Sequence, residues 1–93
     1  NKNKFYNIKI HSDKTKNILT KDSKGNPKIL EIKITVELII MENGEVKYKR
    51  DFIENFNYNN SSNKFDLNQY EKTIEKNLID KIVERITLFL HSL

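Results

Sequence analysis

The segment "ILEIKITVELII" (29–40) alternates apolar and polar residues from Leu30 to Leu38. Residues two apart point to the same side of a β-strand, so this pattern predicts a strand with one buried and one polar face. The predicted buried face consists of Leu30, Ile32, Ile34, Val36, Leu38 and Ile40, and the polar face of Glu31, Lys33, Thr35 and Glu37. Such a strand requires a second layer over its apolar face.

Two further strands are predicted beside this one. Residues 45–58 carry an apolar set on one face: Val46, Tyr48, Phe52, Phe56 and Tyr58. Residues 5–11, "FYNIKIH", read as a half-buried strand with Tyr6, Ile8 and Ile10 on one side, which Ile18 and Leu19 continue after a polar break. Turn residues at 21–28, "KDSKGNPK", and at 41–46, "MENGEV", separate the three segments. We therefore predict an antiparallel three-stranded sheet, with a four-stranded sheet as the alternative.

The connection through Asn43 and Gly44 decides how the second and third strands pair. A two-residue loop places Ile40 opposite Lys47, which mixes the two faces of the sheet. A three-residue connection with Gly44 in a bulge places Ile40 opposite Val46 instead. We predict the three-residue connection because it keeps apolar residues together.

The last third of the chain predicts an amphipathic helix that packs on the sheet. Asp66 is the predicted N-cap, with Gln69 completing a capping box and Phe65 and Tyr70 at the staple positions. The apolar stripe is Leu67, Tyr70, Ile74, Leu78, Ile82, Ile86, Phe89 and Leu93. The solvated face is Glu71, Lys72, Glu75, Lys76, Asp80, Lys81, Glu84 and Arg85. The predicted fold class is α+β, in one domain over residues 1–93, and the polar stretch 57–64 is a candidate functional loop.

Composition and motifs argue against an enzyme. The chain has no Cys, which removes disulfides and Cys-based metal sites. His11 and His91 lie far apart in the sequence, and both glycines occupy turns rather than a phosphate-binding loop. No base stands beside a nucleophile. We therefore predict a non-enzymatic protein without a metal or a cofactor.

The net charge of +4 is compatible with a phosphate-bearing partner, either nucleic acid or anionic lipid. Three strands followed by a helix resemble the end of a double-stranded-RNA-binding domain. Such domains meet phosphates with a basic helix start, whereas this chain has "DLNQYE" at 66–71. An RNA-binding module of βββα type is therefore the alternative function, and the leading prediction has no nucleic-acid partner.

The chain resembles the C-terminal part of the lipopolysaccharide-assembly lipoprotein family LptE. The segments that carry the resemblance are "ILEIKITVELII", "RDFIENFNYN", the small polar loop "NSSNK" and the closing helix "QYEKTIEKNLIDKIVERITLFL". It extends over roughly residues 5–93, as a pattern of spacing rather than an invariant motif. In the family, a lipid-bearing Cys, a strand and a helix precede these segments, and this sequence contains none of them.

The resemblance implies an accessory of lipopolysaccharide transport that plugs a β-barrel partner similar to LptD and helps to assemble it. It implies an outer-membrane location on the periplasmic face, through a lipid anchor in the full-length protein. Loop lysines of the family contact lipopolysaccharide, which here points to Lys24, Lys28 and Lys64. An accessory lipoprotein of another envelope transporter is a further alternative.

Overall fold

A computed structural model describes residues 6–93 of the chain. Its elements are β1 (Tyr6–Lys21), β2 (Pro27–Glu42), β3 (Glu45–Asn59) and α1 (Lys64–His91). The strands form one antiparallel sheet in the order β1-β2-β3, and α1 packs on one face of it. The predicted α+β fold is confirmed with three strands over the described residues. The body is elongated, with extents of 62 × 20 × 18 Å.

The core lies between the middle strand β2 and the helix. All six apolar residues that were predicted on the buried face of β2 are buried. Phe52 and Tyr58 of β3 complete the sheet side of this core, and Phe52 is only 1% exposed. From the helix, four members of the predicted stripe are buried: Leu67, Ile74, Leu78 and Ile82. This burial is the main source of cohesion between the two layers.

Strand β1 differs from its prediction. It continues without a break to Lys21, and each of its residues is exposed. Tyr6, Ile8 and Ile10 were predicted to be half-buried, yet 55%, 51% and 62% of their surfaces are exposed. The reason is that α1 packs against β2 and β3 within the described residues and leaves β1 uncovered. Phe5, the predicted first residue of the strand, lies outside the described residues.

The predicted three-residue connection between β2 and β3 is wrong. Asn43 and Gly44 have φ angles of 51° and 84° and form a two-residue hairpin loop. Positive φ at both central residues is the arrangement of a type I′ turn, which matches the twist of the flanking strands. A β-bulge just beyond Ile40 then shifts the register by one residue, so that Tyr48 lies opposite Ile40. The bulge restores the match between the apolar faces that the short loop alone would break.

Val46 was predicted in the core, but it lies between the loop and this bulge. It pairs with Met41 rather than with Ile40, and it is 59% exposed. Beyond the bulge the register is regular, and Phe52 lies opposite Val36. Phe56 keeps the predicted face but is also exposed.

The N-cap of the helix lies three residues before the predicted one. Asn63 is the N-cap, with extended backbone, and its side chain accepts a hydrogen bond from the backbone N–H of Asp66. Asp66 is therefore the third helical residue and contributes its charge to the first turn. The predicted staple is also wrong, because Phe65 and Tyr70 are both exposed.

The predicted faces of the helix need one further correction. Tyr70 and Leu93 of the apolar stripe are exposed. Glu71, which was predicted on the solvated face, is buried against the sheet with 7% of its surface exposed. It lies four residues after Leu67 and three before Ile74, so helical geometry places it on the buried side.

Candidate lysine-rich binding site

A polar cleft of about 460 Å³ lies at the end of the sheet where the β1–β2 turn meets the start of α1. Its lining includes Asp22, Asn26, Lys28, Asn60, Ser61 and Lys64. Two of the three predicted binding lysines, Lys28 and Lys64, therefore come together from segments far apart in the sequence. The third, Lys24, lies in the adjoining turn and does not line the cleft.

The β1–β2 turn is held by the side chain of Asp22. Its Oδ1 accepts hydrogen bonds from the backbone N–H groups of Lys24 and Asn26, each over 2.9 Å. These bonds, chiefly the one from Asn26, lower the pKa of Asp22 below its usual value. Gly25 closes the turn with a φ of 85°, in the left-handed region that glycine adopts without strain. Lys24 is thus carried on a well-defined backbone beside the cleft.

The connection between β3 and α1 is shorter than the predicted loop 57–64, because β3 continues to Asn59. Asn60 fastens this connection to the first residues of β2. Its backbone N–H donates to the carbonyl of Lys28, and its side-chain Nδ2 donates to the carbonyl of Pro27, both over 2.9 Å. This side of the cleft is therefore anchored to the middle strand of the sheet.

Two backbone amides at the start of the helix are already hydrogen-bonded to nearby side chains. The hydroxyl of Ser61 accepts from the backbone N–H of Asn63 over 3.1 Å, and Oδ1 of Asn63 accepts from that of Asp66 over 3.1 Å. A helix start can offer free backbone amides to a ligand, but some of them are already bonded here. A ligand in the cleft would therefore meet mainly side chains. Lys64, the first helical residue, supplies the positive charge at this point.

The three predicted lysines have no ion-pair partner among the described residues, which is also true of Lys9, Lys21, Lys33, Lys72 and Lys81. Within residues 6–93, no carboxylate lies within 4 Å of the ammonium groups of Lys24, Lys28 or Lys64. By contrast, Lys14 and Lys16 of β1 form ion pairs with helix residues. The cleft thus has two ammonium groups without an ion-pair partner, those of Lys28 and Lys64, and one carboxylate, that of Asp22. This arrangement suits a ligand with anionic oxygens. Nothing in this arrangement activates a nucleophile.

A buried polar cluster that the sequence analysis missed lies under the helix. The carboxylate of Glu71 accepts a hydrogen bond from the hydroxyl of Tyr58, and Nζ of Lys16 lies 3.0 Å from its Oε2. Burial alone would raise the pKa of Glu71, but these two donors outweigh it and lower the pKa. Burial and the neighbouring carboxylate together raise the pKa of Tyr58 far above its usual value. The cluster joins three elements and holds the fold together.

Arg50 and Glu54 are charged residues that interrupt the apolar face of β3. Glu54 forms an ion pair, over 2.9 Å, with Arg85 of the helix. The guanidinium of Arg50 instead lies over aromatic rings, with its central carbon 4.9 Å from the centroid of Phe89. Both charges thus stabilise the contact between β3 and α1.

The face of the sheet that points away from the helix is mostly polar, with Ile53 as an exposed apolar residue on it. Glu31 in the middle strand accepts hydrogen bonds from Asn17 over 3.1 Å and from Asn55 over 2.8 Å, so one carboxylate links all three strands. Lys49 adds an ion pair with Glu37, over 3.6 Å. The aromatic residues of the described strands all belong to the helix-side register. This outer face therefore offers polar contacts rather than rings on which bases could stack.

Neither a metal-binding cluster nor a membrane-spanning helix occurs in the described residues, 6–93. They contain no group of three or more His, Asp or Glu residues placed to hold a metal ion. The helix of this region is not apolar enough over a sufficient length to span a bilayer.

The sequence matches no protein-family model, and it has no significant match among curated proteins. What the structure defines is a fold class, an α+β layer of three antiparallel strands and one helix. The candidate site is therefore argued from the geometry of this chain.

Proposed function

We propose that the protein is a non-enzymatic accessory of lipopolysaccharide assembly and transport at the outer membrane. In this proposal it plugs a β-barrel partner similar to LptD, assists the assembly of that barrel, and binds the phosphate groups of lipopolysaccharide. Its place is the periplasmic face of the outer membrane, held by a lipid anchor of the full-length protein.

The observation that carries the binding proposal is the convergence of Lys28 and Lys64 on one polar cleft. Their ammonium groups have no carboxylate partner within the described residues, so an anionic ligand need not displace one. Basic side chains near an anionic lipid surface contribute about 1 kcal/mol each to binding. Lys24 in the neighbouring turn extends the positive surface beyond the cleft.

The shape and the outer face of the sheet support the barrel proposal. The body is long and only about 20 Å across. The lumen of a large outer-membrane barrel is polar, and the polar network around Glu31 offers matching hydrogen-bonding groups. A mostly polar sheet face of this kind can lie against such a wall, with Ile53 as an exposed apolar side chain on it.

Binding of purified lipopolysaccharide to the chain tests the site. The double substitution Lys28→Glu and Lys64→Glu is expected to weaken binding at least 30-fold, since two contributions of about 1 kcal/mol are lost. Adding Lys24→Glu should weaken it further but by a smaller factor, because Lys24 lies outside the cleft. Circular dichroism of the variants should remain that of the parent chain.

The matched control is Lys72→Glu with Lys81→Glu, which makes the same change in net charge on the helix surface. If both double variants weakened lipopolysaccharide binding equally, net charge alone would explain the loss. The proposed binding site would then be overturned. Tight, salt-sensitive binding to duplex RNA in place of lipopolysaccharide would favour the alternative function. The barrel proposal predicts that an LptD-like barrel co-purifies with the full-length protein, and its absence would count against that part.

A further inference from the structure

We propose that two copies of this chain associate through β1, edge to edge and antiparallel, into a continuous six-stranded sheet. The strand that pairs with the open edge is thus β1 of a second copy of the chain. This inference rests on β1 and its contacts, independently of the lysine cleft and of the proposed function.

The edge of β1 is unusually open. Its 16 residues are all exposed, and among the described residues, 6–93, the strand pairs only with β2. An unpaired edge presents a row of free backbone N–H and C=O groups to any strand that can align with it. The pairing of β1 with β2 is regular from Tyr6 to Ile18, and irregularities begin only between Ile18 and Thr20. The regular edge is therefore the part available for a second ladder.

One register makes this regular edge complementary to itself. If Ser12 lies opposite Ser12 of the second copy, Tyr6 lies opposite Ile18, and the whole regular segment is paired. The two residues of each pair then point to the same face of the sheet, so the helix sides and the polar sides of both copies coincide. Ser12, a small residue, then lies at the two-fold axis, where an isologous contact places a residue opposite its own copy.

The charges on the outer face fit the same register. His11 of each copy lies opposite Asp13 of the other, which gives two favourable pairs, and Lys9 lies opposite Thr15. No like charges face each other directly. Shifting the partner by two residues so that Tyr6 pairs with Thr20 would instead place Asp13 opposite Asp13, which is unfavourable.

The side chains on the helix side of β1 are also compatible with this pairing. Lysines that point toward the covered side of an edge strand normally discourage association. Here Lys14 and Lys16 are held toward the helix by Glu75 and Glu71, with nitrogen–oxygen distances of 3.0 Å in both pairs. Their charges are thereby compensated within one copy, and their aliphatic stems can cover Ile10 and Ile8 of the other copy.

Cross-linking through Ser12→Cys tests the register, because the chain has no other cysteine. Residues opposite each other in an antiparallel ladder lie within the range that a disulfide spans. The variant is expected to form a disulfide-linked dimer under mild oxidation. Asn17→Cys is the matched control, since it lies on the same exposed strand but opposite Asn7 in the proposed register. Equal cross-linking of both variants would overturn the register.

Sedimentation equilibrium of the unmodified chain tests the association without any cysteine. The dimer fraction should rise with concentration, and Ser12→Lys should abolish it by placing two ammonium groups across the axis. Asn17→Lys adds the same charge away from the axis and should leave dimerisation unchanged. A chain that remains monomeric at all concentrations, with no Ser12→Cys cross-link, would overturn the proposal.

Discussion

The ammonium nitrogen of Lys16 lies 3.0 Å from the Glu71 carboxylate, although Lys16 belongs to an exposed strand and Glu71 is buried. Tyr58 donates to the same carboxylate from β3. One side chain of α1 is thus bound to both outer strands of the sheet. Because the helix makes no close backbone approach to β1 in the described region, this ion pair and that of Lys14 take the place of apolar packing there.

Glu71→Gln is expected to change how the free energy of unfolding depends on pH. The pKa of Glu71 is lowered below its usual 4.5, so its contribution to stability is complete above that value and is lost as the pH falls through the lowered pKa. At pH 7 the variant should be less stable by about 2 kcal/mol, the size of a hydrogen bond to a charged group. The difference should shrink in acid. Urea denaturation between pH 7 and pH 3 measures it.

The control for this pH dependence is Glu84→Gln, which removes an exposed carboxylate from the same helix. Its free energy of unfolding should stay within about 0.5 kcal/mol of the parent chain at every pH. A Glu71→Gln variant that differs from the parent by the same amount at pH 7 and pH 3 would contradict the assigned role of the carboxylate.

Tyr58→Phe isolates the second donor of the cluster. Removing the hydroxyl leaves the buried carboxylate of Glu71 with one donor fewer, and the expected loss of stability is roughly 1.5–3 kcal/mol. Tyr70→Phe is the matched control, because Tyr70 packs its ring edge-on against Tyr58 but is 47% exposed. Its urea midpoint should stay near that of the parent. Equal midpoints for the two variants would show that the buried hydroxyl contributes nothing.

The fold was predictable because two periodicities dominate the sequence. The alternation that begins at Leu30 is typical of a strand with one covered face, and the six apolar residues of that face are all buried. The helical spacing of Leu78 and Ile82 supplies the layer that covers it. Periodicity depends on many residues at once, so single errors do not change the result.

Local boundaries were not predictable, because they depend on one or two hydrogen bonds. Asn63 and Asp66 are both good N-cap residues, and the sequence does not say which of them accepts the bond. The two-residue loop at Asn43 mixes the faces of the sheet unless a bulge compensates for it, and that bulge has no sequence signal of its own. The exposure of Tyr6 followed from how far the helix extends over the sheet, which no local pattern contains.

The candidate site was predicted only in part. Lys28 and Lys64 were chosen from the resemblance, and their convergence on one cleft depends on the sheet register and on Asn60, which ties the two segments together. The cluster around Glu71 could have been found from its spacing to Leu67 and Ile74. The cluster was missed because Glu71 is charged, and charged helix residues are usually solvated.

Asn63→Ala and Asp66→Ala separate the two possible helix starts. Asn63 accepts the capping hydrogen bond, so its loss should cost about 1 kcal/mol. Asp66 acts through its charge in the first turn, and its replacement should cost less, roughly 0.3–1 kcal/mol, with the effect weakening in 1 M salt. The effect of Asn63→Ala should persist in salt because it removes a hydrogen bond. Urea denaturation at low and high salt measures both, and a larger, salt-independent loss for Asp66→Ala would place the cap at Asp66 instead.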